Sequence, residues 1–225
     1  MCQDWCDLLF AHWQVSPDKV TQFLPDNLQL DTFEGQAWLG VVPFRMANVH
    51  PRALPTFPWI SNFLELNVRT YVTYKGKRGV FFFSLDASNP VAVRIARNLF
   101  YLPYFNAKMA LRRDSDSTYY ESIRTHQNRK PLGFEATYRP IGPVEFSQPA
   151  SLEAFLTERY CLFVPDNKGE IWTGNIHHEQ WPLQKASAEI RLNELGDEYG
   201  FDFKSTEPLL HYVEKIETVE WALSR

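Results

Sequence analysis

Cysteine is scarce in this chain: only Cys2, Cys6 and Cys161 occur. An odd number without a basic leader reads as reduced thiols, not a disulfide framework. Cys2 and Cys6 have no second Cys or His pair at ligand spacing, so no zinc motif is expected. Glycine and proline are also modest, 10 and 15 among 225 residues, which argues against a disordered or fibrous chain. No stretch approaches 18 uncharged apolar residues, so no membrane-spanning helix is expected. Residues Met1 to Trp13 lack a basic segment and carry Asp4 and Asp7; no secretory signal is expected, and the cytoplasm is the expected compartment. Positive charge is not in excess, with 23 basic against 27 acidic residues and a net charge of −4. Nucleic acid and anionic membranes reward clustered positive charge and are not expected partners. Internal repeats, low-complexity tracts and long linkers are absent as well.

Aromatic residues, by contrast, are plentiful: 17 Phe, 10 Tyr and 7 Trp. They favour strands or an aromatic-lined pocket over a helical bundle. A chain this long buries roughly 70–75% of its unfolded surface, so its core needs neither disulfide nor metal. A single domain spanning 1–225 is expected.

Helix signals are few. Ser16-Pro17 opens a short helix to about Leu24, and Asn89-Pro90 opens another that ends near Pro103. Ser151 caps a third, from Leu152 to about Tyr160. Strand patterns cover Leu28–Phe33, Gln36–Met46, Phe63–Tyr74, Gly79–Ala87 and Lys108–Arg113. They continue at Tyr119–Thr125, Gly133–Arg139, Glu170–His178, Ala186–Leu192 and Ile216–Leu223. The implied class is α+β, mostly β: a largely antiparallel, barrel-like sheet with about three short helices. Pro51, Pro55 and Pro58 stiffen a loop between two strands, a surface loop or the lip of a cavity.

The segment Phe63–Tyr74 is the most informative. Its even positions, Leu64, Leu66, Val68, Thr70, Val72 and Tyr74, form a core face. Its odd positions read Phe63, Glu65, Asn67, Arg69, Tyr71 and Thr73. That face either meets solvent or lines a polar cavity, with Phe63 and Tyr71 at its ends. Glu65 and Arg69 stand about 13 Å apart along the strand, too far to pair but placed to hold two ends of a small anion. Arg45 ends an apolar row of Ala37, Leu39, Val41 and Pro43. If buried, it needs Glu65, Asp86 or a ligand carboxylate; otherwise the strand ends before it and it reaches water. Asp86 reads as a turn or capping carboxylate near Asn89. Lys108 sits among Tyr104, Phe105, Ala107 and Met109. A desolvated amine there attacks carbonyls, whereas a snorkelling one is a surface lysine. His177 and Glu179 share a strand face and suggest a metal-dependent hydrolase, without an evident third ligand.

Several phrases carry a resemblance: Leu8-Leu9-Phe10-Ala11-His12-Trp13, Glu65 to Tyr71, Phe82 to Ala87, Leu102-Pro103-Tyr104, Phe155 to Tyr160 and Pro208 to His211. Together they resemble the YqjF-like family of bacterial proteins, itself similar in fold to acetoacetate decarboxylase. The resemblance implies a β-barrel or cone around a cavity. It matches Glu65 to the decarboxylase's strand glutamate and the Lys108 segment to its lysine pair, of which only one lysine is present here. The expected function is binding of a small carboxylate- or carbonyl-bearing ligand in a barrel cavity. Arg69 and Arg45 would hold the anion, Asn67 would supply a polar contact, and Tyr104 would form part of the wall. In a catalytic form, Lys108 is a Schiff-base nucleophile and Glu65 transfers protons, as a decarboxylase, aldolase or dehydratase. The alternatives are a non-catalytic binding or sensing module and the metal-dependent hydrolase. No cofactor is expected, and an oligomer remains open.

Overall fold

The computed structural model describes residues 1–52, 54–57 and 59–225; Pro58 of the proline-bearing loop lies outside them. In chain order the elements are β1 (Cys2–Val15), α1 (Pro17–Thr21), β2 (Gln29–Leu30), β3 (Ala37–His50), β4 (Phe63–Tyr74) and β5 (Lys77–Ala87). Then follow α2 (Pro90–Phe100), β6 (Tyr104–Arg113), β7 (Thr118–Arg124), β8 (Gly133–Pro140) and α3 (Leu152–Thr157). The chain finishes with β9 (Cys161–Pro165), β10 (Ile171–His178), β11 (Gln184–Asn193) and β12 (Leu209–Glu220). The mostly-β expectation with three helices holds.

All twelve strands join one sheet in the order β10-β9-β5-β6-β7-β8-β11-β12-β1-β3-β4-β2, with extra pairings β10–β12 and β5–β4. Those two pairings close the sheet on itself twice. A smaller ring runs β5-β4-β3-β1-β12-β10-β9; a larger one substitutes β6, β7, β8 and β11 for β9 and β10. The strands β12, β1, β3, β4 and β5 are a wall common to both. Pairing is antiparallel except where β5 meets β6 and β9. Two parallel neighbours need a crossover, and α2 supplies it between β5 and β6.

The common wall explains the burial pattern. Leu66 and Val68 of β4, Leu39 and Val41 of β3, and Leu9 and Ala11 of β1 point into the larger ring. There they pack on Tyr120, Phe134 and Tyr138 in a filled apolar core. The opposite positions, Leu8, Phe10, Val42, Phe44 and Met46, face the smaller ring. A strand buried on both faces loses the apolar–polar alternation by which strands are recognised. That is why β1, with Leu8 to Trp13 all buried, carried no strand signal. The short β9, with Cys161 to Val164 buried, was missed for the same reason.

Local chemistry sets the element ends. The Asn89 side chain accepts from the amides of Val91 at 3.0 Å and Ala92 at 3.2 Å, capping α2. Ser151 accepts from the Ala154 amide at 3.2 Å and caps α3. Both α1 and α3 are shorter than expected, stopping at Thr21 and Thr157. The β4–β5 hairpin turns on Lys75 and Gly76, at φ 50° and 76°, the left-handed pair that matches strand twist. Gly79 serves a different purpose: a Cβ there would meet the carbonyl oxygen and sulfur of Cys161, each at 2.7 Å. Its bareness lets β5 approach β9 where the rings diverge. No helix among the described residues is long and apolar enough to cross a membrane.

Candidate functional site

The larger ring is filled; the smaller ring is not. It encloses a cavity of about 380 Å³, lined mainly by apolar and aromatic side chains. The cavity is bounded by the outward half of the common wall, by β9 and β10, and by α2 with Pro51, Leu54, Phe57 and Ile60 at its mouth. The floor is closed by Tyr71 with Phe155 and Leu156 of α3. This is the face of β4 that bears Glu65, Asn67 and Arg69, all three of which line the cavity and are buried.

Glu65 is the acid of the upper wall. Its carboxylate accepts from the Tyr104 hydroxyl at 2.6 Å. Burial pushes its pKa up to about 8, despite the hydroxyl and the Asn67 amide, which favour the ionised form. At neutral pH it is therefore mostly a neutral carboxylic acid, able to donate a hydrogen bond. Glu220 of β12 also lines the cavity, holds the Gln3 amide at 2.6 Å, and is pushed up by burial. A negative charge on Glu220 adds to the cost of ionising Glu65.

Arg69 lies deeper. It is 7% exposed. Its guanidinium donates to the Leu156 carbonyl at 3.4 Å and sits over the rings of Phe10 and Tyr71, at 5.2 and 5.9 Å. Its Nε has no hydrogen-bond partner. Among the described residues no carboxylate lies within salt-bridge distance of it, whereas Arg159, the other arginine lining the cavity, is bound to Asp31 at 2.6 Å. Arg69 is therefore a buried guanidinium cation without a carboxylate partner among the described residues. Beneath it, His12 and Tyr71 share a hydrogen bond of 2.7 Å. Burial holds the His12 imidazole well below its usual pKa, so it adds no charge.

Lys108 and Arg45, expected in the site, lie elsewhere, and Asp86, His177 and Glu179 do not line the cavity. Lys108 is exposed on β6 and does not line the cavity; no lysine among the described residues does. Tyr104 enters the cavity where β6 starts along β5, but that pairing ends at Asn106, and Lys108 lies beyond it in solvent. Arg45 is on the alternate face of β3 from Phe44 and Met46, and its guanidinium reaches Asp7 at 3.1 Å instead of Glu65, Asp86 or the cavity. Asp86 is not a cap: it is fully buried in the larger ring and bound to Arg124 at 2.9 Å. Its pKa is about 6, raised by burial and held down by that guanidinium. His177 and Glu179 are both exposed, and no three His, Cys, Asp or Glu groups among the described residues are placed to hold a metal.

Sequence reasoning missed His178, Arg159 and Glu220. His178 is buried on the cavity wall, stacked on Tyr160 at 4.6 Å, with burial lowering its pKa. The alternation of β10 carried a signal, since His177 and His178 must face opposite ways; which of them faces inward depends on ring closure.

The family known as DUF2071, described as an uncharacterized conserved protein, matches residues 2–217. The chain belongs to the DUF2071 family. This DUF2071 member is 44% identical over 225 residues to the uncharacterized protein YqjF of Bacillus subtilis (strain 168), covering 100% of the chain and 92% of that relative. Among solved structures it is similar to acetoacetate decarboxylase from Legionella pneumophila, with a TM-score of 0.63 and 14% identity over 100% of this chain and 88% of that one. The enduracididine biosynthesis enzyme MppR complexed with pyruvate gives 0.64 and 12% identity, over 99% and 89%. An acetoacetate decarboxylase-like enzyme from Sphingomonas wittichii RW1 gives 0.62 and 15%, over 98% and 93%. At these identities the likeness is one of fold, and it matches the cone-like sheet expected from the resemblance.

Proposed function

We propose that this DUF2071 protein binds a small monocarboxylate, such as an oxo acid, non-covalently in the smaller ring. One observation carries the reading: Arg69 is buried in a mainly apolar cavity with no carboxylate partner among the described residues. An isolated charge in such a place costs several kcal/mol, and the ring faces of Phe10 and Tyr71 offset only part of that. A ligand carboxylate supplies the missing partner with strong, charge-assisted hydrogen bonds. Glu65 does not compete for Arg69, because it is mostly neutral at pH 7 and four positions away. Its protonated form donates to a carbonyl or hydroxyl on the ligand instead. The fold neighbour complexed with pyruvate, a 2-oxo acid, is consistent in chemistry. The Schiff-base form is set aside, because no lysine among the described residues lines the cavity.

The test is calorimetric titration with pyruvate, 2-oxobutanoate and longer acids, each beside its uncharged amide. Acids are expected to bind and amides not, with acid binding lost in Arg69→Met and kept in Lys108→Ala. Amides binding as tightly as acids would refute the reading. The Glu65–Tyr104 hydrogen bond supports a second reading, in which Glu65 moves a proton to or from the ligand. It requires deuterium exchange at the carbon beside the ligand carbonyl, lost in Glu65→Gln.

A further inference from the structure

A three- or four-carbon acid leaves much of this cavity unused. At about 30 Å³ for each water-sized group, 380 Å³ holds on the order of a dozen non-hydrogen atoms, roughly twice what such an acid fills. The free charge also sits at one end. Arg69 is six residues along β4 from Phe63, about 20 Å in an extended strand, and Ile60 and Ser61, which also line the cavity, lie just before Phe63. Between floor and mouth the lining beside β4 is apolar, with Phe82 and Leu85 of the paired strand β5 and Leu102. At the mouth, Leu54, Phe57 and Ile95 line the cavity and are also 52%, 49% and 45% exposed. An apolar strip of the lining thus runs from the interior to an uncovered lip, which calls for an apolar occupant.

We infer that the ligand is a monocarboxylic acid with an apolar tail of about six to ten carbons. Its head binds Arg69 at the floor, and its tail runs along the apolar wall to the lip of Leu54, Phe57 and Ile95. This rests on the carboxylate reading above and adds the substrate class and its direction in the cavity. A cation at the floor and an apolar lip orient such a molecule in one way only, because the reverse orientation leaves Arg69 unpaired and puts the carboxylate head against Ile95. Leu54, Phe57 and Ile95 then pack against the part of the tail nearest solvent.

The experiment is a calorimetric series of saturated acids from butanoate to decanoate, with the matching primary alcohols. It uses the wild type, Arg69→Met and Ile95→Glu; the last lies at an exposed position, so folding is retained. Each buried methylene is expected to tighten binding about fourfold, with a plateau near octanoate to decanoate as the tail clears the lip. Alcohols are expected to bind at least tenfold more weakly than acids, and Arg69→Met to erase that preference. Ile95→Glu is expected to weaken decanoate while leaving butanoate unchanged. Wild-type affinity that is flat or falls beyond butanoate, with Arg69→Met still weakening it, overturns the tail and leaves the carboxylate reading standing. Alcohols that bind as tightly as acids, with Arg69→Met indifferent, overturn the carboxylate reading and the inference with it.

Discussion

Glu65→Gln separates the effect of burial from that of charge. In the folded chain the Glu65 carboxyl has a pKa of about 8, pushed up by burial; in the unfolded chain it ionises near 4.5. Between those values the native state holds a proton that the unfolded state has released, so stability falls as pH rises. For a group titrating near 8, the loss between pH 7 and pH 9 is about 1.4 kcal/mol, and the whole window amounts to at most roughly 5 kcal/mol. Glutamine keeps the shape and never ionises, so the variant lacks this share. Urea unfolding of both proteins at pH 7, 8 and 9 measures it. The buried thiols Cys6 and Cys161, both pushed up by burial, contribute equally to both and cancel. The difference in stability between wild type and variant is expected to shift by about 1.4 kcal/mol over that range, or about 3–5 °C in Tm for a chain of this size. Parallel pH dependences would mean that Glu65 is already ionised at pH 7 and that burial does not govern it. Tyr104→Phe removes a hydrogen bond that favours the ionised form, so the transition is expected to move to higher pH.

Other perturbations reach different parts of the molecule. Arg124→Met strands Asp86 without its partner and is expected to cost about 3–5 kcal/mol, more at pH 8 than at pH 5, as read by urea unfolding. Adding Asp86→Asn should recover part of that loss. Gly79→Ala forces a methyl group into the Cys161 carbonyl at the β5–β9 contact and is expected to cost about 1–3 kcal/mol, visible as a lowered Tm. Lys108→Ala, at an exposed position, should change Tm by no more than about 1–2 °C.

How much of this was legible in the sequence differs along the chain. The mixed polarity of Glu65, Asn67 and Arg69 opposite Leu64, Leu66 and Val68 marked β4 as a strand whose two faces meet different surroundings. That alone did not say whether the polar face was wet or enclosed, because closure depends on β9, β10 and α3, distant in sequence. Lys108 misled for the converse reason: its neighbours are apolar because they pack inward, while alternation sends the lysine itself outward. Arg45 and Asp86 found partners in Asp7 and Arg124, 38 positions away in each case, and no local pattern reports such a pair. Asp7 is hardest to foresee, since it holds Arg45 from an irregular point of β1 at φ 53°.

The strand shared by both rings has a consequence for how this protein can change. Even positions of β4 answer to the packed ring, and odd positions answer to the hollow one. Two sets of requirements are thus written into one segment as interleaved letters, each readable without the other. Selection for a new ligand can rewrite every second residue of Glu65, Asn67 and Arg69 while Leu66 and Val68 go on holding the fold. A family built on such a partition can keep its architecture while its members diverge in what they carry.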